Sequence, residues 1–137
     1  MNKFIHKINY YETDKMGITH HSNYIRFMEE ARLDFLEKIG YPMTRIEADG
    51  ITSPVVSIKC DYKRPSTFGN KLEIEVSITQ YTGVKLTFSY IMKNIDTNET
   101  VAIASSVHCF LNPNGKPVPL KKYSQDLDDL LRRNIIN

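Results

Sequence analysis

Residues 22 to 39 repeat apolar side chains at helical spacing. Tyr24, Phe27, Met28, Ala31, Phe35 and Ile39 fall on one face, while Glu29, Glu30, Arg32, Asp34, Glu37 and Lys38 take most of the other positions. This predicts one long amphipathic helix of roughly 27 Å, capped by Ser22 or Asn23 and ended by Gly40 and Pro42. Before it, residues 3 to 12 read as a first strand, with Phe4, Ile8 and the Tyr10–Tyr11 pair as strand formers. A helical turn is expected at residues 44 to 49, with Thr44 and Glu47 as a capping box.

From residue 51 the period becomes two. VVSIKCDY (55 to 62) predicts a strand, and Pro65, Ser66 and Gly69 mark a turn. In LEIEVSITQ, Leu72, Ile74, Val76 and Ile78 alternate with Glu73, Glu75, Ser77 and Thr79. A hairpin at Gly83 leads into VKLTFSYIM, with Val84, Leu86, Phe88, Tyr90 and Met92 on one face. After IDTNET, residues 101 to 111 predict a last strand with both faces covered, and residues 124 to 136 a terminal helix capped by Ser124. Short turns between the late strands imply an antiparallel sheet, and the long helix must bury its stripe on that sheet. The expected class is α+β: a five-stranded antiparallel sheet wrapped around one central helix, plus a C-terminal helix. The apolar last strand points to a partner subunit over part of the outer face.

Length and composition narrow this picture. With 137 residues and no Pro- or Gly-rich linker, the chain is expected to form a single domain, 1–137. The net charge is +2 and the basic residues are scattered, which argues against a nucleic-acid footprint. Cys60 and Cys109 have no metal spacing and read as small buried groups of a reducing compartment. MNKFIHKINY lacks an apolar core of signal-peptide length, and no stretch approaches the ~18 apolar residues of a membrane span. A soluble, cytoplasmic protein is expected.

The chemistry concentrates between the first strand and the long helix, in YYETDKMGITHHSNYIRF. Asp14 follows a strand end, Gly17 permits a positive φ, and the N–H groups near His21 and Ser22 lie at the helix start. Those donors carry the positive end of the helix dipole and can hold a developing oxyanion. A carboxylate nearby can attack the carbonyl or deprotonate a water that does. Taken alone, Asp14 is also an acceptable turn residue. His20 and His21 are adjacent, and His6 and His108 lie on separate strands, so no metal-ligand spacing appears.

The run YYETDKMGITHHSNYIRFMEEARLDFL resembles hot-dog-fold acyl-CoA thioesterases of the 4-hydroxybenzoyl-CoA thioesterase type. It carries Asp14, Gly17, His21, Asn23, Tyr24 and Glu30-Ala31-Arg32, and DYKRPSTFGNKLEIEV resembles the family's later strand–turn–strand. The resemblance implies the hot-dog fold, a homodimer or homotetramer, and thioester sites at the subunit boundary. It implies Asp14 as the catalytic carboxylate, His21 as the source of the polarising N–H, and Gly17 as the loop glycine. The implied substrate is an acyl-CoA or acyl carrier protein thioester, and no cofactor is required. Lys59, Lys63 and Arg64 are the first candidates for the coenzyme A phosphates, and Tyr24, Phe27 and Met28 for the acyl pocket. Two rivals share the fold: a hydroxyacyl dehydratase, disfavoured by the absence of a Gly/Pro-rich His loop, and a non-catalytic acyl-thioester sensor or interaction module, disfavoured by Asp14.

Overall fold

The computed structural model describes residues 2–136. Five strands, β1 (Asn2–Lys7), β2 (Val55–Tyr62), β3 (Lys71–Tyr81), β4 (Lys85–Asn94) and β5 (Glu99–Cys109), form one antiparallel sheet in the order β1-β3-β4-β5-β2. Helix α1 (Ser22–Lys38) lies across its inner face; α2 (Met43–Ala48) packs on α1, and α3 (Gln125–Arg133) on β3. This is the expected hot-dog arrangement.

The alternation of β3 and β4 is realised side by side. Leu72, Ile74, Val76 and Ile78 are buried, and so are Leu86, Phe88, Tyr90 and Met92. They pack against Tyr24, Phe27, Met28, Ala31 and Phe35 of α1. Burying each large side chain contributes roughly 1.5–3 kcal/mol, so this seam is the main source of stability. Ser124 caps α3 as expected, its side chain accepting from the Leu127 N–H.

Several local readings are corrected. β1 stops at Lys7, and Tyr10–Glu12 form a 3-10 turn because Glu12 turns inward to His6. Neither Ser22 nor Asn23 caps α1: the helix begins after His21, and the Asn23 side chain donates to the Glu12 carbonyl instead. α2 follows Pro42 without a side-chain cap, so the Thr44–Glu47 box is not formed. The outer side of β5 is open within the chain, with Ile103 exposed. Cys60 and Cys109 are only half-buried.

β2 is an edge strand with a bulge between Val55 and Ser57. α1 packs over β1 and β3 and leaves the inner face of β2 largely uncovered. Ile58, Cys60 and Tyr62 lie opposite the buried Ser106, Ala104 and Ala102 and so share their face, yet Ile58 is 38% exposed and Tyr62 47%. A cleft therefore runs between α1 and β2.

Candidate active site

Asp14 sits in a closed loop. The Thr13–Thr19 bridge and the His20 N–H to Glu12 carbonyl bond, 2.8 Å, form its base. At its tip the Asp14 N–H donates to the Ile18 carbonyl at 2.9 Å, and the Gly17 N–H donates to the Asp14 carbonyl at 3.0 Å. Gly17 has φ +78°, the left-handed region in which a side chain is strained. The Asp14 carboxylate uses Oδ1 to accept from the Met16 N–H at 2.8 Å. Residue type and turn thus fix the carboxylate before any ligand arrives.

A second loop is stapled to the first. Thr19 donates its N–H to the Ser66 carbonyl at 2.8 Å, and its hydroxyl meets Ser66 Oγ at 2.7 Å. Tyr24 Oη reaches the same Ser66 Oγ at 2.8 Å, and Thr67 Oγ1 donates to the Gly17 carbonyl at 2.8 Å. These bonds bring Lys63, Arg64 and Pro65 to the far wall of a pocket of about 370 Å³, shared with Asp14, His21, Tyr24 and Tyr62.

Of the residues singled out by sequence, Asp14, His21, Tyr24, Lys63 and Arg64 are brought to this pocket. Gly17 is not on its wall; it shapes the turn behind Asp14. Phe27 and Met28 are fully buried core and do not line the pocket, because the α1 stripe below Tyr24 faces β3 and β4. Lys59 lies away from it, paired with Asp61 at 3.7 Å, while Arg64 pairs with Glu99 at 3.6 Å. Tyr62, Thr19 and Met16 were not anticipated; for Tyr62, the two-residue period of VVSIKCDY was the available signal.

The electrostatics favour a carbonyl against the helix start. The His21 N–H has no hydrogen-bond acceptor among the described residues. It stands at the N-terminus of a 17-residue helix, where the macrodipole is positive. Burial raises the pKa of Tyr24 and pushes that of Tyr62 up to about 12, so both phenols stay protonated. Tyr62 donates to the His21 carbonyl at 3.1 Å and locks the helix start in place. The His20 and His21 rings stack at 4.3 Å, with His20 Nδ1 on Ser22 Oγ. No group of three metal-ligating side chains occurs among the described residues.

Residues 8–131 match the family described as the Thioesterase-like superfamily. A Bacillus subtilis protein, YneP, carrying a provisional acyl-CoA thioesterase assignment, is 32% identical over 88% of this chain and 87% of its own. The acyl-CoA thioester hydrolase YbgC of Escherichia coli is 27% identical over 66% of this chain and 67% of its own. The crystal structure of the DHNA-CoA thioesterase from Staphylococcus aureus superposes with a TM-score of 0.92, at 27% identity, covering 96% of this chain and 89% of that one. The match over residues 8–131 and the 32% identical relative show that the chain belongs to the thioesterase-like superfamily, in its hot-dog fold.

Proposed function

We propose that this thioester hydrolase acts on acyl-CoA or acyl carrier protein thioesters, with Asp14 as the reacting carboxylate. The observation that carries the reading is one shared pocket, with the Asp14 carboxylate on one wall and the unengaged His21 amide at the helix start. The thioester carbonyl oxygen accepts from the His21 N–H, which strengthens as negative charge develops. Asp14 Oδ2 then follows one of two routes. It adds to the carbonyl carbon, the C–S bond breaks, and the mixed anhydride is hydrolysed by water. Alternatively it takes a proton from water, the resulting hydroxide adds, and the proton passes to the departing thiolate. Lys63 and Arg64 stand at the pocket where coenzyme A phosphates would enter. Gly17 lets the loop turn so that Asp14 faces the substrate.

The Asp14–Gly17 loop supports a place near the 4-hydroxybenzoyl-CoA thioesterase type. The proposed unit is a single domain, 1–137, acting in the cytoplasm; no helix among the described residues is long and apolar enough to cross a membrane. We also place a second copy of the chain against β2. Val55, Val56, Ile58 and Tyr62 on this edge are each between 38% and 50% exposed, and an edge strand offers unpaired main-chain groups for continuing the sheet. A homodimer or a pair of homodimers follows.

Thiol release from short, medium, long and aromatic acyl-CoAs tests the activity. Hydrolysis of any of them supports it. Tight binding of an acyl-CoA that stays intact would favour the sensor or interaction-module reading.

A further inference from the structure

A file of four polar side chains crosses the apolar core beneath the middle of α1. Arg32 Nη1 donates to Tyr90 Oη at 3.2 Å, Tyr90 Oη lies 2.6 Å from Ser106 Oγ, and Ser106 Oγ lies 2.7 Å from His108 Nε2. Tyr90, Ser106 and His108 are buried and Arg32 is half-buried. A guanidinium only donates, and Ser106 Oγ is the one acceptor within reach of the Tyr90 hydroxyl among the described residues, so the file is read from its outer end. Tyr90 receives the Arg32 N–H and sends its own proton to Ser106, which sends its proton to Nε2. His108 therefore carries its N–H on Nδ1. Burial, helped by the Arg32 charge, lowers its pKa to about 4 and keeps the ring neutral.

Two donors are left over. His108 Nδ1 makes no hydrogen bond among the described residues. Arg32 pairs with no carboxylate among them. Both residues line a cavity whose other walls are Ser53 and apolar side chains such as Leu36, Phe88 and Leu131. Its volume is about 40 Å³; at roughly 10–15 Å³ per enclosed water, it takes about three heavy atoms, the size of a carboxylate. An uncompensated guanidinium matches a carboxylate through two parallel N–H···O bonds.

The cavity shares Arg32, Met43 and Ser53 with an open groove beside it. Glu29 and Glu47 line that groove but not the cavity, and they are solvated there, where water and salt screen them. Tyr24 and Tyr62 line the Asp14 pocket, while Arg32, further along α1, and Ser53, just before β2, line the groove. Tyr24 and Arg32 are separated by about 12 Å of helix.

Resting on the thioesterase reading, we propose that Arg32 and His108 form a carboxylate-recognition site and that the substrates are ω-carboxyacyl thioesters. The thioester lies against Asp14, the chain follows the cleft, and the free carboxylate is held by the Arg32 guanidinium and the His108 Nδ1–H.

The experiment compares kcat/KM for adipoyl-, suberoyl- and sebacoyl-CoA with hexanoyl-, octanoyl- and decanoyl-CoA. The wild-type protein should prefer the carboxylated partner of at least one pair by about tenfold or more, the range of a charge-assisted hydrogen bond. Arg32→Gln should bring that ratio to about one, and Arg32→Lys should keep part of it. Ser106→Ala, which cuts the file behind Arg32, should lower the ratio without removing it, and it serves if Arg32→Gln does not fold. Equal or better use of the methyl-terminated thioester in every pair, or a ratio that survives Arg32→Gln, overturns the site and leaves the thioesterase reading intact. If the wild-type protein hydrolyses no thioester, the thioesterase reading falls instead. Calorimetry with suberate then decides the site: saturable binding lost in Arg32→Gln keeps it, and no binding discards it.

Discussion

His6 Nε2 lies 2.8 Å from Glu12 Oε1, and both side chains are nearly buried. The same carboxylate oxygen accepts from the Asn9 N–H at 2.7 Å, and His6 Nδ1 faces Glu30 at 3.2 Å. The main-chain carbonyl of Glu12 accepts from the His20 N–H and from Asn23. One residue thus ties β1, α1 and the base of the Asp14 loop together. Replacing Glu12 by Ala removes the acceptor of His6 Nε2 and of the Asn9 N–H, and should lower stability by roughly 1–3 kcal/mol. Urea denaturation measures this; a loss below 1 kcal/mol, on the scale of an exposed pair, would show that the contact is not structural.

Asp14→Asn should lower kcat by at least ~100-fold, the low end of acid–base contributions. The fold should hold, because the Asn side-chain oxygen can still accept from the Met16 N–H. Steady-state thiol release with a circular dichroism check separates the two effects. Activity within a few fold of wild type would remove Asp14 from the chemistry.

His21→Ala should reduce kcat less than Asp14→Asn. The group assigned to the carbonyl is a main-chain N–H, which survives the change. An equal loss in both variants would assign the role to the imidazole.

Acid should weaken the fold through His108. Its folded pKa of about 4 lies below the unfolded value of 6.5, so the unfolded chain binds the extra proton between those limits. Stability is full above pH 6.5 and falls as the pH drops toward 4, by roughly 2 kcal/mol once some solvent screening is allowed for. His108→Gln should flatten the urea midpoint across this window. An unchanged acid slope in that variant would contradict the assignment.

Ile58→Lys should dissociate the proposed dimer. The substitution places a charge on the inner face of the β2 edge, in the middle of its apolar row. Analytical ultracentrifugation reads the outcome directly, and a variant that sediments like wild type would move the subunit contact elsewhere.

The sheet was legible because its strands bury one face. Ile74 and Phe88 are buried and Glu73 and Ser89 are not, so the alternation survives into the coordinates. The start of α1 at Ser22 was legible, but its capping was not. Its position is fixed by Asn23 reaching the Glu12 carbonyl, a contact that no capping rule anticipates. β1 was overextended because Tyr10 and Tyr11 have strand propensity, while the inward turn of Glu12 overrides it. At the site, Asp14, Gly17 and His21 stand in one short segment and were readable together. Tyr62 and Ser66 arrive from more than forty residues away through hydrogen bonds to the loop and helix start. The half-exposure of Cys60 has the same origin: α1 does not cover β2, and that depends on packing, not on local pattern.

The engagement of Asp14 Oδ1 by Met16 makes the two carboxylate oxygens inequivalent. Oδ1 is held by the main chain, which leaves Oδ2 as the oxygen that the proposed mechanism uses. In a single turnover in heavy-oxygen water, isotope found in the aspartate would mark an anhydride opened by water at the Asp14 carboxyl carbon, whereas a water-activating route places the isotope in the acid product and leaves the aspartate unlabelled. A turn that looks merely architectural thus gives the enzyme a one-handed reagent, and mass spectrometry a way to see which hand it uses.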